Sequence, residues 1–135
     1  MDSQPEIIIG FDFGMKKIGV AIGNTLSASA RPLTIIHEEA NDRKFAAIKT
    51  LLEEWRPALA VVGLPCYPDG TEHEMTAHCR RFANRLKGRF GIETVHVDER
   101  YSSSVLNFRQ DREDDAHAAA LILQQYFDEK ASTVP

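Results

Sequence analysis

IIGFDFGMKKIGVAIGN, residues 8–24, decides the fold because it holds two short apolar segments on either side of a glycine turn. Residues 6–13 are rich in Ile and Phe, which is typical of a buried strand. Residues 16–24 are again apolar and partly β-branched, so the whole stretch predicts an antiparallel hairpin that turns around Gly14. The stretch 32–37 predicts a third strand, which completes an antiparallel meander.

Beyond the meander, the spacing of the hydrophobic residues changes from strand-like to helical. A cap at Asn41 or Asp42 and a stop at Pro57 predict an amphipathic helix between them. Residues 58–64 then form an uninterrupted apolar run that predicts a fully buried strand. Buried strands that follow helices are typical of a parallel sheet.

The remainder of the chain predicts two further helices and one further strand. A capping box over 71–74 begins the second helix, and we expect it to end at Gly88 or Gly91. Residues 93–99 alternate as a fifth strand, and 115–127 form a strong final helix. The element order predicts an α/β fold in which a mixed five-stranded sheet, antiparallel in its first part and parallel in its second, is flanked by helices.

Composition indicates one domain. The 135 residues are 43% hydrophobic, enough for a single core, and we expect one domain over 1–135 with an ordered core at about 6–129. No apolar run approaches the roughly 18 residues of a membrane span, and the N-terminus lacks the basic segment of a signal peptide, so we expect a cytoplasmic protein. Cys66 and Cys79 form no Cys-x-x-Cys motif and are interpreted as reduced, structural thiols. The net charge of −4 argues against non-specific coating of nucleic acid.

Acidic residues stand at two strand ends and at one helix start. Asp12 ends the first strand, while Asp98 and Glu99 end the fifth, where only one of the two can share a face with Asp12. Asp115 begins the last helix on the same stripe as Ala119, which we expect to face the sheet. Carboxylates gathered at the carboxyl edge of such a sheet suit Mg²⁺ or Mn²⁺. Two such ions can activate water and stabilise the leaving oxygen of an in-line phosphoryl displacement, so a two-metal phosphoryl-transfer site is one hypothesis for these acids.

Each of these acids also has a simpler structural interpretation. Asp12 can cap the turn at Gly14. Asp115 can interact with the helix dipole, a role that Glu113 and Asp114 can fill equally well. Both interpretations stand beside the metal-site hypothesis.

Four blocks of the sequence resemble, in order, the motif blocks of the YqgF (RuvX) family: "IIGFDFGMKKIGVAIGN" (8–24), "VVGLPCYPDGTEHEMTAHCRRFANRL" (61–86), "VDERYSSS" (97–104) and "DAHAAALILQQYF" (115–127). The family is related to Holliday-junction resolvases. The resemblance implies a ribonuclease H-like fold and a hydrolase that processes the 5′ end of pre-16S ribosomal RNA in ribosome biogenesis.

By position, the resemblance implies catalytic roles for four acids, which are Asp12, Asp98, Glu99 and Asp115. It implies that Asp12, Glu99 and Asp115 hold Mg²⁺ or Mn²⁺, and of the middle pair we favour Glu99. The loop 63–72 is expected near these acids. One departure is that 101–114 is short and acidic here, where the family usually has a longer, basic segment.

Basic residues mark candidate nucleic-acid contacts. Lys16 is close to Asp12 in sequence and Arg100 follows Glu99, while three arginines lie together on the second helix: Arg80, Arg81 and Arg85. A solvated helix face is the alternative interpretation of these three arginines. Among the histidines, only His117 is near enough to a proposed acid to join the chemistry.

Two other functional classes compete with a nuclease. Actin-like ATPases and sugar kinases also begin with an Asp-x-Gly hairpin, but they bind the nucleotide between two such domains. The present sequence also contains no Walker-type loop. A non-catalytic RNA-binding or ribosome-assembly module is the stronger alternative, because the segment 101–114 is acidic. We expect a nucleic-acid partner, pre-16S rRNA first and branched DNA in a Holliday-junction-type resolvase second, and no membrane partner.

Overall fold

The computed structural model describes residues 6–66, 69, 71, 74–100 and 115–132, with the backbone alone at positions 66, 99, 100, 115, 131 and 132. Its elements, in chain order, are β1 (Ile7–Phe13), β2 (Ile18–Asn24), β3 (Ser29–Ile36), α1 (Asn41–Trp55), β4 (Leu59–Cys66), α2 (Glu74–Phe90), β5 (Thr94–Arg100) and α3 (Asp115–Ser132). None of the helices in these ranges is long and apolar enough to cross a membrane.

The five described strands form one mixed sheet in the order β3-β2-β1-β4-β5. β1 pairs antiparallel with β2, and β2 pairs antiparallel with β3. On its other side β1 pairs parallel with β4, which pairs parallel with β5. The predicted combination of an antiparallel meander with parallel strands is confirmed.

The helices cover the two faces of the sheet unequally. The larger buried cluster joins Phe11 and Val62 of the sheet to α1 and α2, where Phe45 and Phe82 are the largest buried side chains. The smaller cluster, on the opposite face, joins Val61 and other strand residues to α3. Successive side chains of a strand point to opposite faces, so β1, β2 and β4 contribute alternate residues to the two clusters, whereas β5 contributes only to the smaller one.

The backbone geometry shows where α1 begins and where α2 ends. The cap predicted at Asn41 or Asp42 is wrong, because the N-cap is Ala40, in an extended conformation and with no side-chain capping bond. Of the two glycines offered as the end of α2, Gly88 lies inside the helix and Gly91 follows it with a φ of 66°. Glycine adopts this left-handed conformation without steric cost, which makes it a common residue after a helix end.

β3 starts earlier than predicted, at Ser29, and includes Pro32. Proline lacks a backbone N–H and is tolerated on an edge strand, which β3 is. The pairing shifts between Val20 and Ala21, at the level of this proline. From the same strand, Arg31 places its guanidinium 5.7 Å from the ring centroid of Trp55, at the far end of α1.

Two glycines allow α3 to lie unusually close to the sheet. A β-carbon added at Gly10 would stand 3.0 Å from Cβ of Leu123 and 3.3 Å from the carbonyl oxygen of Ala119. A β-carbon at Gly23 would stand 2.9 Å from the ring of Phe127. Because Gly23 pairs with Ile8 at the start of β1, α3 runs antiparallel to β1 and its first turn lies toward the end of that strand.

We expect Gly10→Ala to lower the free energy of unfolding by about 1–3 kcal/mol, because the added methyl group must displace α3 from a packed contact. Urea denaturation measures this change. Gly88→Ala is the matched control, since nothing lies within 4 Å of the added carbon. Alanine at this helix-interior position should raise the stability by about 0.5–1 kcal/mol. A Gly10→Ala protein as stable as the Gly88→Ala protein would contradict the close approach of α3.

Candidate active site

The parallel strands of the sheet all end at the same edge. β1, β4 and β5 run in the same direction, so Phe13, Cys66 and Arg100, the last residues of these strands, lie at one edge, here called the carboxyl edge. β3 also ends at this edge, since Ile36 pairs with Ile18 beside Phe13. In open α/β sheets this is the edge at which ligands bind.

Asp12 lies on the α3 face of the sheet, one residue from the end of β1, and is half-buried. Its face follows from the strand period, since Ile8 and Gly10 both contact α3. An acid in this position is held by a strand whose other residues are nearly all apolar. The structure therefore fixes Asp12 at the carboxyl edge, as predicted.

Glycines lie beside Asp12 on both neighbouring strands. Gly19 of β2 is its partner in the antiparallel register. On β4, Val62 pairs with Phe11, so the next residue, Gly63, stands level with Asp12 and pairs in turn with Val97. Both glycines are buried, and neither places a side chain next to the carboxylate. Sequence reasoning did not single out Gly19, and it included Gly63 in the loop 63–72, whereas Gly63 lies inside β4.

Asp98 lies on the opposite face of the sheet from Asp12. Val97 packs against α3, so the alternation of β5 directs His96 and Asp98 toward α2. The electrostatics agree with this placement, because burial and the nearby cations Arg80 and Lys87 lower the pKa of His96 while Asp98 opposes the shift. Asp98 itself is exposed. The structure does not bring Asp98 together with Asp12.

The backbone positions of Glu99 and Asp115 are consistent with the predicted site. Glu99 is two residues beyond Val97 in β5, in register with Pro65 of β4. Asp115 is the first residue of α3, one helical turn before Ala119, whose carbonyl group packs over Gly10. The convergence of these two acids with Asp12 remains a prediction. Among the side chains that are described, no group of three His, Cys, Asp or Glu residues is arranged to hold a metal ion.

Hydrogen bonds link described residues near the end of β4 and the start of α2. The hydroxyl group of Thr76, in the first turn of α2, donates a hydrogen bond to the carbonyl oxygen of Pro65. The backbone N–H and the hydroxyl group of Thr71 donate to the carboxylate of Asp69, and the backbone bond is the main reason that the pKa of Asp69 is lowered. The capping box predicted over 71–74 lies partly outside the described residues.

The predicted basic residues fall in three places. Lys16 is exposed in the turn between β1 and β2, at the carboxyl edge, and Arg100 ends β5 at the same edge. Arg80 is exposed beside His96. Arg81 and Arg85 line a groove between α1 and α2. Thus the three arginines of α2 lie on the sheet face opposite to Asp12.

Two other predicted residues have unambiguous surroundings. Cys79 is buried in the core beneath α2 and forms no disulfide, as expected of a structural thiol. His117 is exposed in the first turn of α3, two residues after Asp115.

The strand order, the helices on both faces and the acid at the end of β1 define a ribonuclease H-like α/β protein. Thermus thermophilus RuvC in complex with a Holliday junction substrate has the same fold, with a TM-score of 0.59 at 16% identity over 95% of this chain and 97% of that one. Fowlpox virus resolvase, also complexed with Holliday junction DNA, has a TM-score of 0.54 at 12% identity, over 92% of this chain and 98% of that one. The predicted fold class is confirmed.

Sequence comparison identifies the family within this class. The family model described as "RuvX: Holliday junction resolvase" matches residues 6–129. A Bordetella avium protein is 53% identical over 128 residues, which cover 93% of this chain and 98% of that protein. A Methylobacillus flagellatus protein is 50% identical over 135 residues, which cover 93% of this chain and 92% of that protein. Both carry the name "Putative pre-16S rRNA nuclease".

The chain belongs to the RuvX family. The family assigned from the four sequence blocks is confirmed, and so is the enzyme class, because the family description and the names of the relatives are those of nucleases.

Proposed function

We propose that this protein is a metal-dependent nuclease that processes the 5′ end of pre-16S ribosomal RNA in the cytoplasm, and that it acts as a single domain. The observation that carries the proposal is the position of Asp12, at the carboxyl edge, on the α3 face and between two glycines. The choice of substrate rests on the name shared by relatives that are about half identical to this chain.

The positions of Glu99 and Asp115 support a shared site with Asp12. β5 is two strands away from β1, which corresponds to about 10 Å at ordinary strand spacing, and Gly63 lies between them without a side chain. The alternation of β5 assigns position 99 to the same face as Val97, which is the face of Asp12. From the other side, α3 brings its first residue toward the end of β1. Three carboxylates so placed repel one another unless a cation joins them.

A divalent ion fits this set of donors. Carboxylate oxygens are hard ligands, and Mg²⁺ and Mn²⁺ prefer them to nitrogen or sulfur. When bound, such ions supply an activated water and charge stabilisation at the leaving oxygen of the phosphodiester. The role of the chain's own acidic residues is to hold the ions in position, because they lie on rigid strands and at the start of a helix. Lys16 and Arg100, at the same edge, are proposed to contact the phosphates of the substrate.

A cleavage assay tests the proposal. We expect the protein to cut a precursor RNA that contains the 5′ end of 16S rRNA when Mn²⁺ or Mg²⁺ is present, and to leave it intact in EDTA or Ca²⁺. A four-way DNA junction serves as the second substrate, because the family description and the solved RuvC and fowlpox complexes concern such junctions. Preferential cutting of the junction would identify branched DNA, and not RNA, as the substrate. Failure to cut either substrate with any of these ions would favour a non-catalytic RNA-binding module.

A further inference from the structure

A basic groove lies between α1 and α2, next to the turn that connects β1 and β2. Its volume is about 240 Å³. Four basic residues line this groove, which we call the α1–α2 groove: Lys44, His78, Arg81 and Arg85. Asn41 and apolar side chains, among them Phe13 and Met15, complete the lining, and the described lining contains no carboxylate. The groove is on the opposite sheet face from Asp12 but beside the same strand end.

Lys44 is the most unusual of these residues because it is almost entirely buried, with 3% of its surface exposed. Its ammonium group donates one hydrogen bond, 2.9 Å long, to the carbonyl oxygen of Met15. It also lies 5.1 Å from the ring centroid of Phe13. Within the described part of the chain, no carboxylate pairs with this ammonium group.

The described contacts of this ammonium group are a carbonyl oxygen and an aromatic ring, and neither carries a negative charge. Lysine has three N–H donors, and the hydrogen bond to Met15 uses one of them. Removing a positive charge from water is costly unless it is paired and hydrogen-bonded. An anion bound in the α1–α2 groove would supply both the negative charge and further acceptors.

Arg81 and Arg85 add to the positive charge at the mouth of the groove. Both are exposed, and their spacing of four residues places them as neighbours on one face of α2. Planar guanidinium groups bind phosphate through paired hydrogen bonds. With Lys44, they concentrate three formal positive charges in a protein whose net charge is −4. The charge of the groove is therefore local and opposite in sign to that of the whole molecule.

The apolar part of the groove provides a surface for a nucleobase. The half-buried ring of Phe13 is stacked on Phe82, with centroids 4.7 Å apart, and has the Lys44 ammonium group over its other face, so only the ring edge borders the groove. Met15 is 52% exposed beside it. Bases of single-stranded nucleic acids pack on such side chains while basic residues follow the phosphates. A volume of 240 Å³ is below the ~300–1,000 Å³ of drug-sized ligand sites, so the groove suits one nucleotide of a longer strand.

We propose that the α1–α2 groove binds one nucleotide of a single-stranded nucleic-acid segment, with its phosphate on Lys44, Arg81 and Arg85. The identity of the ligand rests on the proposed nuclease function. The groove begins at Met15, three residues after Asp12, so a strand that reaches the acids can continue over the β1–β2 turn into the groove. The segment bound here flanks the cleaved bond and is not itself cut.

Binding of a fluorescein-labelled, single-stranded RNA of about ten nucleotides tests the proposal, measured by fluorescence anisotropy in EDTA so that no cleavage occurs. We expect Lys44→Met to weaken binding about tenfold, because it removes a charged hydrogen-bond donor from the site. The double variant Arg81→Gln/Arg85→Gln should weaken binding at least as much. Arg43→Gln is the matched control, since Arg43 is the exposed neighbour of Lys44 on α1 and does not line the groove. Its affinity should stay within about twofold of the unmodified protein.

The salt dependence of binding provides a second measurement. Each phosphate of a single strand that is no longer neutralised by a protein cation lowers the slope of log affinity against log salt by about 0.7. The variant with all three cations removed, Lys44→Met/Arg81→Gln/Arg85→Gln, loses the one phosphate contact of the proposed nucleotide, so its slope should be smaller by about 0.7. Equal slopes in this variant and in the unmodified protein would overturn the proposal. So would equally weakened binding in Lys44→Met and Arg43→Gln, since that result would reflect net charge and not the groove.

A purely structural role for Lys44 predicts a different pattern. If the lysine serves only to hold Met15 and the β1–β2 turn, Lys44→Met should lower the melting temperature and leave RNA affinity unchanged in the folded protein. Under the proposal, the melting temperature should hold or rise, because methionine keeps the length of the side chain without a buried charge. If Lys44→Met does not fold, the surface variant Arg81→Gln/Arg85→Gln decides by itself, and unchanged RNA affinity in that variant overturns the proposal.

The outcomes separate this inference from the proposed function. RNA binding that depends on the groove, in a protein that cuts no substrate with any metal ion, would retain the groove and reject the nuclease. Metal-dependent cleavage that requires Asp12, together with RNA affinities unaffected by the groove variants, would retain the nuclease and reject the groove.

Discussion

Asp12→Asn is expected to reduce metal-dependent cleavage more than about a hundredfold, with the fold intact. Asparagine has nearly the same size and can make most of the same hydrogen bonds, but it lacks the charge that we propose holds a divalent ion in line with the phosphodiester. If Glu99 and Asp115 share the site as proposed, neutralising Asp12 also relieves repulsion in the metal-free protein, so stability should hold or rise slightly. Initial cleavage rates of precursor RNA in Mn²⁺, compared with thermal melts in EDTA and in Mn²⁺, measure both effects.

We also expect this variant to respond differently to Mn²⁺ in thermal melts. Any stabilisation of the unmodified protein by Mn²⁺ should be absent or much reduced in Asp12→Asn, because only the folded state binds the ion. Asp42→Asn is the control, since it removes the same charge from an exposed position in the first turn of α1. It should change neither the cleavage rate nor the response to Mn²⁺. A destabilised but fully active Asp12→Asn protein would instead identify Asp12 as a turn cap.

The second large effect is expected from a comparison of two adjacent acids, Glu99→Gln and Asp98→Asn. The alternation of β5 assigns position 99 to the face of Asp12, whereas Asp98 lies toward α2 near His96. Glu99→Gln should therefore reduce cleavage more than about a hundredfold, and Asp98→Asn by less than about fivefold. Each variant removes one negative charge from the same strand, so the two proteins control for each other.

Cleavage rates measured over a titration of Mn²⁺ distinguish weakened ion binding from a wrong assignment of the two faces. A rate for Glu99→Gln that recovers at high Mn²⁺ would indicate weakened binding of the ion at an otherwise competent site. A large decrease in Asp98→Asn with little change in Glu99→Gln would contradict the assignment of faces and make Asp98 the ligand of the middle pair.

The local hydrophobic pattern of the sequence predicted the elements and most of their ends. The hairpin around Gly14, the buried strand β4 and the stripe on α2 formed by Cys79, Phe82 and Leu86 all depend on periodicity, which is visible in one dimension. The cap of α1 could not be predicted, because Ala40 has no side chain able to make the bond that a sequence pattern seeks.

The surroundings of the candidate site depend on register and packing, which the sequence does not display. Gly19 and Gly63 are ordinary glycines until strand pairing places one on each side of Asp12. Lys44 lies on the apolar stripe of α1, one residue before Phe45. A lysine at such a position usually extends its charged end to water, so its burial in the α1–α2 groove had no signal in the sequence.

The contact between Arg31 and Trp55 allows unfolding to be followed by intrinsic tryptophan fluorescence. Trp55 is the single tryptophan of the protein and ends α1, eleven residues beyond Lys44, which corresponds to about 16 Å along the helix axis. Its emission changes when the guanidinium group and the partly buried indole ring separate, but ligands at the carboxyl edge or in the α1–α2 groove do not touch it. One cuvette can therefore follow folding through the intrinsic ultraviolet emission and RNA occupancy through a visible dye, without added labels on the protein.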